Sequence, residues 1–365
     1  MIKIKDVIQY LENIAPLSYQ ESYDNAGLIT GDLQQTVSGV MICLDSTEDV
    51  LQEAVRKGCN LVIAHHPIIF RGLKKVNGSN YVERTIIFAI KNDIAIYAIH
   101  TNLDNVHTGV NRKIAEKIGL ENVKILNSKK DTLSKLVSFV PKTNTDDVLE
   151  ALSKAGAGNI GNYEKCSFRV TGTGAFKPNE SANPSIGERN QLEEVQEDRI
   201  EVIFPTFLET RILNALKQAH PYEEVAHYIQ TLSNKNQEIG SGMIGNLPES
   251  MQETGFLSYL KEKMMLNCIR HTALLNKPVQ KVAICGGSGS FLLKTAMAKN
   301  ADVFITADFK YHEFFDADNQ ILILDIGHYE SEVFTKDLIY ELLNKKFTNI
   351  ALYLTECVTN PISYF

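Results

Sequence analysis

The chain has 365 residues, 44% of them hydrophobic and 22% charged, with a formal net charge of −7. At roughly 100–200 residues per domain, that length holds one large core plus a further domain, and the composition is that of a soluble globular protein. The acidic balance argues against a general nucleic-acid binder, and no apolar run approaches the ~20 residues of a membrane helix.

The cysteines (Cys43, Cys59, Cys166, Cys268, Cys285 and Cys357) are dispersed, with no C-x-x-C pair. That pattern fits a reduced cytosol, not a disulfide framework or a thiolate zinc site. The opening M-I-K-I-K-D-V-I-Q-Y has no apolar leader region, so a cytoplasmic location is expected.

Residues 3–14 carry the periodicity of an amphipathic helix, and Asp24-Asn25 with Gly27 reads as a turn. A rhythm then begins. Residues 39–45 form a strand, Ser46 or Thr47 caps a helix to about Lys57, and Leu61–His65 is the next strand. A helix over 80–92 leads to a buried strand, 94–99, ending in H-T-N-L-D, and a helix over 109–120 follows. The rhythm returns late in the chain, with strands at 281–285, 302–306 and 321–326. These are followed in turn by G-G-S-G-S and a helix to about Asn300, by A-D-F-K-Y-H-E-F-F and a helix, and by G-H-Y-E-S-E opening a long helix to about Asn344. Alternation of this kind predicts βαβ units, right-handed crossovers and parallel pairing. The expected fold class is α/β, with two similar βαβαβ halves forming one layered core.

Between the halves the pattern changes to strand 133–140, helix 145–156, alternating strands 166–176 and 192–204, helix 209–218 and strand 224–232. The order β-α-β-β-α-β is the split ferredoxin-like one. It predicts an inserted α+β domain over 129–236, leaving 1–128 and 237–365 as a discontinuous core. Residues 237–280 read as a polar linker with one helix near 257–265.

In open α/β sheets chemistry collects at the carboxyl ends of the strands. His65 and His66 stand at such an end. Neighbours on a strand point to opposite faces, so the two imidazoles would serve two ions side by side; alone, the pair reads equally as one buried, hydrogen-bonded histidine beside a surface one. His328 and Glu332, four apart at a helix start, share one face. Asp104 closes H-T-N-L-D after another buried strand. Together these offer three nitrogens and two carboxylates, about what two ions ~3.5–4 Å apart need when a carboxylate bridges them.

The pieces S-Y-D-N-A-G-L (Ser22 to Leu28), A-H-H-P-I-I-F (Ala64 to Phe70), H-T-N-L-D (His100 to Asp104), A-D-V-F-I-T-A-D-F-K-Y-H (Ala301 to His312) and D-I-G-H-Y-E-S-E (Asp325 to Glu332) occur in order along the chain. This set resembles the Nif-three-like family, also called the GTP cyclohydrolase 1 type 2 homologues. G-T-G-A-F and A-H-P-Y-E-E resemble the PII/CutA-like insertion of its longer bacterial members. The resemblance implies a centre of two divalent ions per subunit, one on His65 and Asp104, the other on His66 and His328, with Glu332 bridging. It also implies a toroidal homohexamer. Tyr23 stands where the family usually has Trp, and Ala307 where it commonly has Gly.

A donor set without thiolate suits Zn, Mn, Fe(II), Co or Ni, and residue identity does not choose among them; zinc is taken as the expected ion. Metal-dependent hydrolysis of a nucleotide or related small molecule follows as the reaction class, and the family name suggests ring opening of GTP with release of formate. The other reading is a hexameric metal-binding regulator or metal-trafficking protein without turnover. Asp308 and His312 are candidates for supporting or proton-transfer roles. The turn Cys285–Ser290 could hold a phosphate, and Arg71, Lys74 and Lys75 could meet an anionic substrate.

Overall fold

The structure is a computed structural model that describes all 365 residues. The chain divides into two compact units, Met1–Ser128 with Gln237–Phe365, and Lys129–Asn236. The first stretch of the large unit contains α1 (Ile4–Ile14), β1 (Gly27–Thr30), β2 (Val40–Asp45), α2 (Glu48–Arg56), β3 (Leu61–His66), α3 (Tyr81–Lys91), β4 (Ala95–Ala98), α4 (Thr101–Asp104), α5 (Val110–Ile118) and β5 (Glu121–Ser128). The small unit contains β6 (Leu133–Pro141), α6 (Thr145–Lys154), β7 (Phe168–Phe176), β8 (Glu193–Pro205), α7 (Glu209–Ala219) and β9 (His227–Leu232). The large unit resumes with β10 (Gly240–Gln252), α8 (Glu253–Lys263), β11 (Arg270–His271), β12 (Pro278–Ser288), α9 (Leu293–Ala298), β13 (Val303–Ala307), β14 (Leu322–Asp325), α10 (His328–Glu332), α11 (Thr335–Lys346) and β15 (Leu352–Leu354).

The large unit carries two sheets. One has the order β1-β4-β3-β2-β15, parallel except for β1. The other has the order β11-β14-β13-β12-β10-β5, in which β12, β13 and β14 are the parallel part. The triplets β4-β3-β2 and β14-β13-β12 therefore repeat one arrangement. Their strands read as continuous apolar runs because both faces are covered. Ile42, Ile63, Tyr97, Ile284, Ile305 and Leu324 meet in a single inner core with α1, α5, α8 and α11. Met41, Val62 and Ile96 face α2 and α3 on one outer side, and Ala283, Phe304 and Ile323 face α9 on the other. Local signals start and stop the helices. Thr47 accepts from Val50 N to cap α2, Asn80 accepts from Glu83 N to cap α3, and Gly119 ends α5 at φ +78°.

Within the small unit the four strands are antiparallel in the order β7-β8-β6-β9, and Leu136, Ile200 and Phe204 pack against Val148, Leu152 and Ile212 of its two helices.

Several elements depart from expectation. The stretch expected as a polar linker holds β10, a strand lying between β12 and β5. Its glycines disguise it: a Cβ on Gly240 would sit 2.2 Å from the Asn127 carbonyl oxygen, so the close strand approach demands what reads as a loop. The turn at Asp24–Gly27 runs straight into the antiparallel edge strand β1. The segment after β13 winds as a 3₁₀ helix, Tyr311–Ala317, and the long helix expected from residue 327 is broken into α10 and α11.

One carboxylate fastens the chain after β15 to α2. Glu53, 3% exposed, accepts from Thr355 Oγ1 (2.5 Å) and Glu356 N (3.1 Å) and pairs with Lys57 Nζ (2.9 Å). Burial works to raise its pKa, but these bonds, that from Thr355 foremost, hold it at about 2. A folded-state pKa below the unfolded one contributes stability that is full above the unfolded value near 4.5 and is lost as pH falls toward 2. Glu53→Gln should therefore be less stable than the parent at pH 7 and should lose less stability between about pH 4.5 and 2, read by urea unfolding at stepped pH.

Candidate metal centre

The parallel strands bring their carboxyl ends to one place in the large unit. In β3, His65 is fully buried and His66 partly so, and α4 and α10 begin directly beyond β4 and β14. These starts deliver Asp104 from α4, and His328 and Glu332 from opposite ends of α10. Glu332, 3% exposed, stands between the two sets. Its Oε2 accepts from His66 Nε2 (3.0 Å) and His328 Nε2 (3.1 Å), and its Oε1 lies 3.9 Å from His65 Nε2. His65 Nε2 in turn lies 3.6 Å from Asp104 Oδ1.

Each imidazole is aimed by a bond at its other nitrogen. His65 Nδ1 donates to the Ile99 carbonyl (2.8 Å), His66 Nδ1 to Asp45 Oδ1 (2.8 Å) and His328 Nδ1 to Asp308 Oδ2 (2.6 Å). Such outer bonds fix ring orientation and leave Nε2 for a ligand. A fourth imidazole joins them: a ring nitrogen of His100 lies within 4.8 Å of ligand nitrogens of His65 and His66. His100 Nδ1 donates to Asp24 Oδ1 (2.7 Å), and the same carboxylate accepts from Thr101 N (3.0 Å) and the Thr101 hydroxyl. Burial works against the Asp24 carboxylate, yet His100 and Thr101 hold it at about 2.

Two observations fit this donor set to a cation. His65 Nε2 and Asp104 Oδ1 are buried without a hydrogen-bond partner, a cost of about 1–3 kcal/mol each when nothing answers them. The separations of 3.0–3.9 Å also bracket the edge of about 3.3 Å that a tetrahedron has when its ligands sit 2.0–2.1 Å from the ion. His66, His328 and Glu332 form one group that could hold a metal ion, and His65, Asp104 and Glu332 another.

Protons balance the charge when no cation is bound. Burial lowers the His66 pKa, but its bonds to Asp45 and Glu332 prevail and raise it from 6.5 to about 9; bonds to Asp308 and Glu332 likewise raise His328 to about 11. Burial lifts Asp104 to about 7, whereas the imidazoles around Glu332 draw that carboxyl well below its ordinary value.

A family model for Duf34/NIF3 (NGG1p interacting factor 3) matches residues 2–361. The chain belongs to the Duf34/NIF3 family. It is 38% identical to the GTP cyclohydrolase 1 type 2 homolog of Bacillus subtilis, over 99% of this chain and 98% of that protein, and 39% identical to the Halalkalibacterium halodurans homolog, over 98% of each. A Bacillus cereus protein described as related to NIF3 superposes with a TM-score of 0.88 at 38% identity, covering 100% of this chain and 99% of its own. A Staphylococcus aureus protein gives 0.79 at 31%, with the same coverage.

Other residues singled out in this Duf34/NIF3 chain fall elsewhere. His312 is exposed and stacks on Phe315, away from the cluster, whereas Asp308 is directly bonded to His328. Arg71, Lys74 and Lys75 are exposed and lie outside the walls of the 400 Å³ cavity that opens on the cluster. In the turn after Ile284, Gly286 N donates to Asn111 Oδ1 and Gly287 N to Ser331 Oγ, so these two amides are spent. The glycines make room instead, since a Cβ on Gly287 (φ +60°) would stand 2.4 Å from Glu332 Oε1. Sequence reasoning missed Asp45 and the Asp24–His100 pair. Asp45 was findable, being the acid at the end of the strand beside β3, in parallel register with His66.

Gly287→Ala combines a left-handed backbone with that collision. It should destabilise the protein by about 1–3 kcal/mol, read as a lower urea midpoint with unchanged slope.

Proposed function

We propose that this Duf34/NIF3 protein holds two divalent ions, zinc the best suited, and hydrolyses a small molecule of the nucleotide class. The observation that carries the reading is Glu332, whose two carboxylate oxygens face two different imidazole sets, Oε1 toward His65 with Asp104 and Oε2 toward His66 with His328. His65, Asp104 and Glu332 would hold one ion, which would satisfy the unpartnered His65 Nε2 and Asp104 Oδ1, and His66, His328 and Glu332 would hold the other. Bound there, such ions supply Lewis-acid polarisation and lower the pKa of a coordinated water to about 7.

The chain's own residues do the rest. Asp45, Asp308 and the Ile99 carbonyl hold three imidazoles in their tautomers. Asp24 holds His100 beside the cluster with its proton on Nδ1, leaving the other ring nitrogen to take or give a proton. Tyr23, Phe70, Phe291 and Tyr329 line the cavity and offer apolar faces to a planar ring. The relatives' name, GTP cyclohydrolase 1 type 2 homolog, makes GTP the first substrate to try; the reaction proposed is opening of its base with release of formate.

The small unit reads as a ferredoxin-like insertion, because β7-β8-β6-β9 with two helices on one face is the antiparallel arrangement that β-α-β-β-α-β order produces. A toroidal homohexamer and a cytoplasmic location complete the reading; six unpaired cysteines suit a reducing compartment, and light scattering on the purified protein tests the assembly. No helix is long and apolar enough to cross a membrane.

Elemental analysis of protein purified without chelator should give about two ions per chain, and His328→Ala about one, with the fold kept. Metal uptake should weaken as pH falls, because the imidazoles must be neutral to bind. GTP incubated with the metal-replete protein should yield formate and a ring-opened product. Absence of both, with metal still bound, removes the cyclohydrolase step and leaves a metal-binding protein without turnover on GTP.

A further inference from the structure

Residues 355–365 follow β15 and turn toward the metal centre. Their first contacts are the Glu53 bonds from Thr355 and Glu356 described above. Two further contacts reach the site. Thr359 Oγ1 donates to Asp45 Oδ2 (2.6 Å), and Asn360 Nδ2 donates to Glu330 Oε1 (3.0 Å) on α10, between His328 and Glu332. Asn360, Pro361 and Ile362 then form part of the cavity wall that includes His66 and His328.

The Thr359 bond changes what Asp45 can do. The terminal torsion of an aspartate is broad, so a carboxylate held only by His66 at Oδ1 would still rock about its Cβ–Cγ bond. A second donor on Oδ2 fixes the carboxylate plane and, through it, the His66 ring.

We propose that Thr359 is a positioning residue of the metal centre, acting through the Asp45 carboxylate on His66, so that residues 355–365 are a working part of the site. This rests on the metal-binding reading above. Residues that bond a metal ligand directly are worth 10–100-fold in affinity. Thr359 acts one bond further out, so its loss should cost about three- to tenfold, at the position His66 serves.

The test uses the full chain, stripped of metal and titrated with Co²⁺, followed by calorimetry and visible absorption. Thr359→Val should weaken one of two binding steps by that factor and shift the absorption of the bound Co²⁺, with an unchanged melting temperature of the metal-free protein. Thr359→Ser, which keeps the hydroxyl, should restore both. Glu356→Gln, on the same segment but remote from Asp45, should bind like the parent. If the parent binds and Thr359→Val matches it in affinity and spectrum, the proposal alone falls. Equal weakening by Glu356→Gln also overturns it, because the segment would then act only by being docked. If the parent takes up no Co²⁺, the metal reading falls and this proposal with it.

Discussion

A carboxylate buried to 3% exposure among three imidazoles is the constraint on which the large unit depends. Removing a charge from water costs several kcal/mol unless other groups answer it. Glu332 is answered from strands distant in the sequence, by His66 at the end of β3 and by His328 after β14. The two parallel triplets must therefore be placed so that their carboxyl edges meet. The shared inner core of Ile42, Ile63, Ile284 and Ile305 supplies that placement.

The repeat also explains how the rings are aimed. In the first half, Asp45 ends β2, the strand beside β3, and bonds His66. In the second, Asp308 follows β13, the strand beside β14, and bonds His328. A parallel pair brings neighbouring strand ends level, so an acid on one strand end can reach an imidazole on the next. Asp308 manages this at φ +59°, a conformation aspartate tolerates better than most side chains.

What the sequence made legible follows the same physics. Fully buried parallel strands are apolar runs, so β2, β3, β4, β12, β13 and β14 announce themselves, and polar residues at their ends stand out against them. His65, His66, Asp104, His328 and Glu332 were visible for that reason, and the structure brings all five into one cluster. Elements whose signal is not hydrophobic repetition were hidden. β10 carries glycines demanded by its neighbour's backbone, β15 is three residues at a sheet edge, and the break between α10 and α11 leaves no proline or glycine to mark it. Asp24 and Thr359 were hidden because their importance lies in a bond across many residues, which no local pattern encodes.

The hydrogen bonds around the cluster show where its deficit has been left. Asp24, Asp45 and Asp308 are each met by a donor, and the amides of Gly286 and Gly287 are spent on Asn111 and Ser331. These groups around the site are satisfied. Two groups inside it are not, His65 Nε2 and Asp104 Oδ1, 3.6 Å apart and both facing the carboxylate of Glu332. Two acceptors cannot satisfy each other, and a proton on Asp104, favoured by its raised pKa, answers the pair only across a gap too long for a good hydrogen bond. A cation held by both residues would answer them at once. His65 Nε2 and Asp104 Oδ1 are thus left unmet beside a buried carboxylate, in a group of side chains that could hold a metal ion.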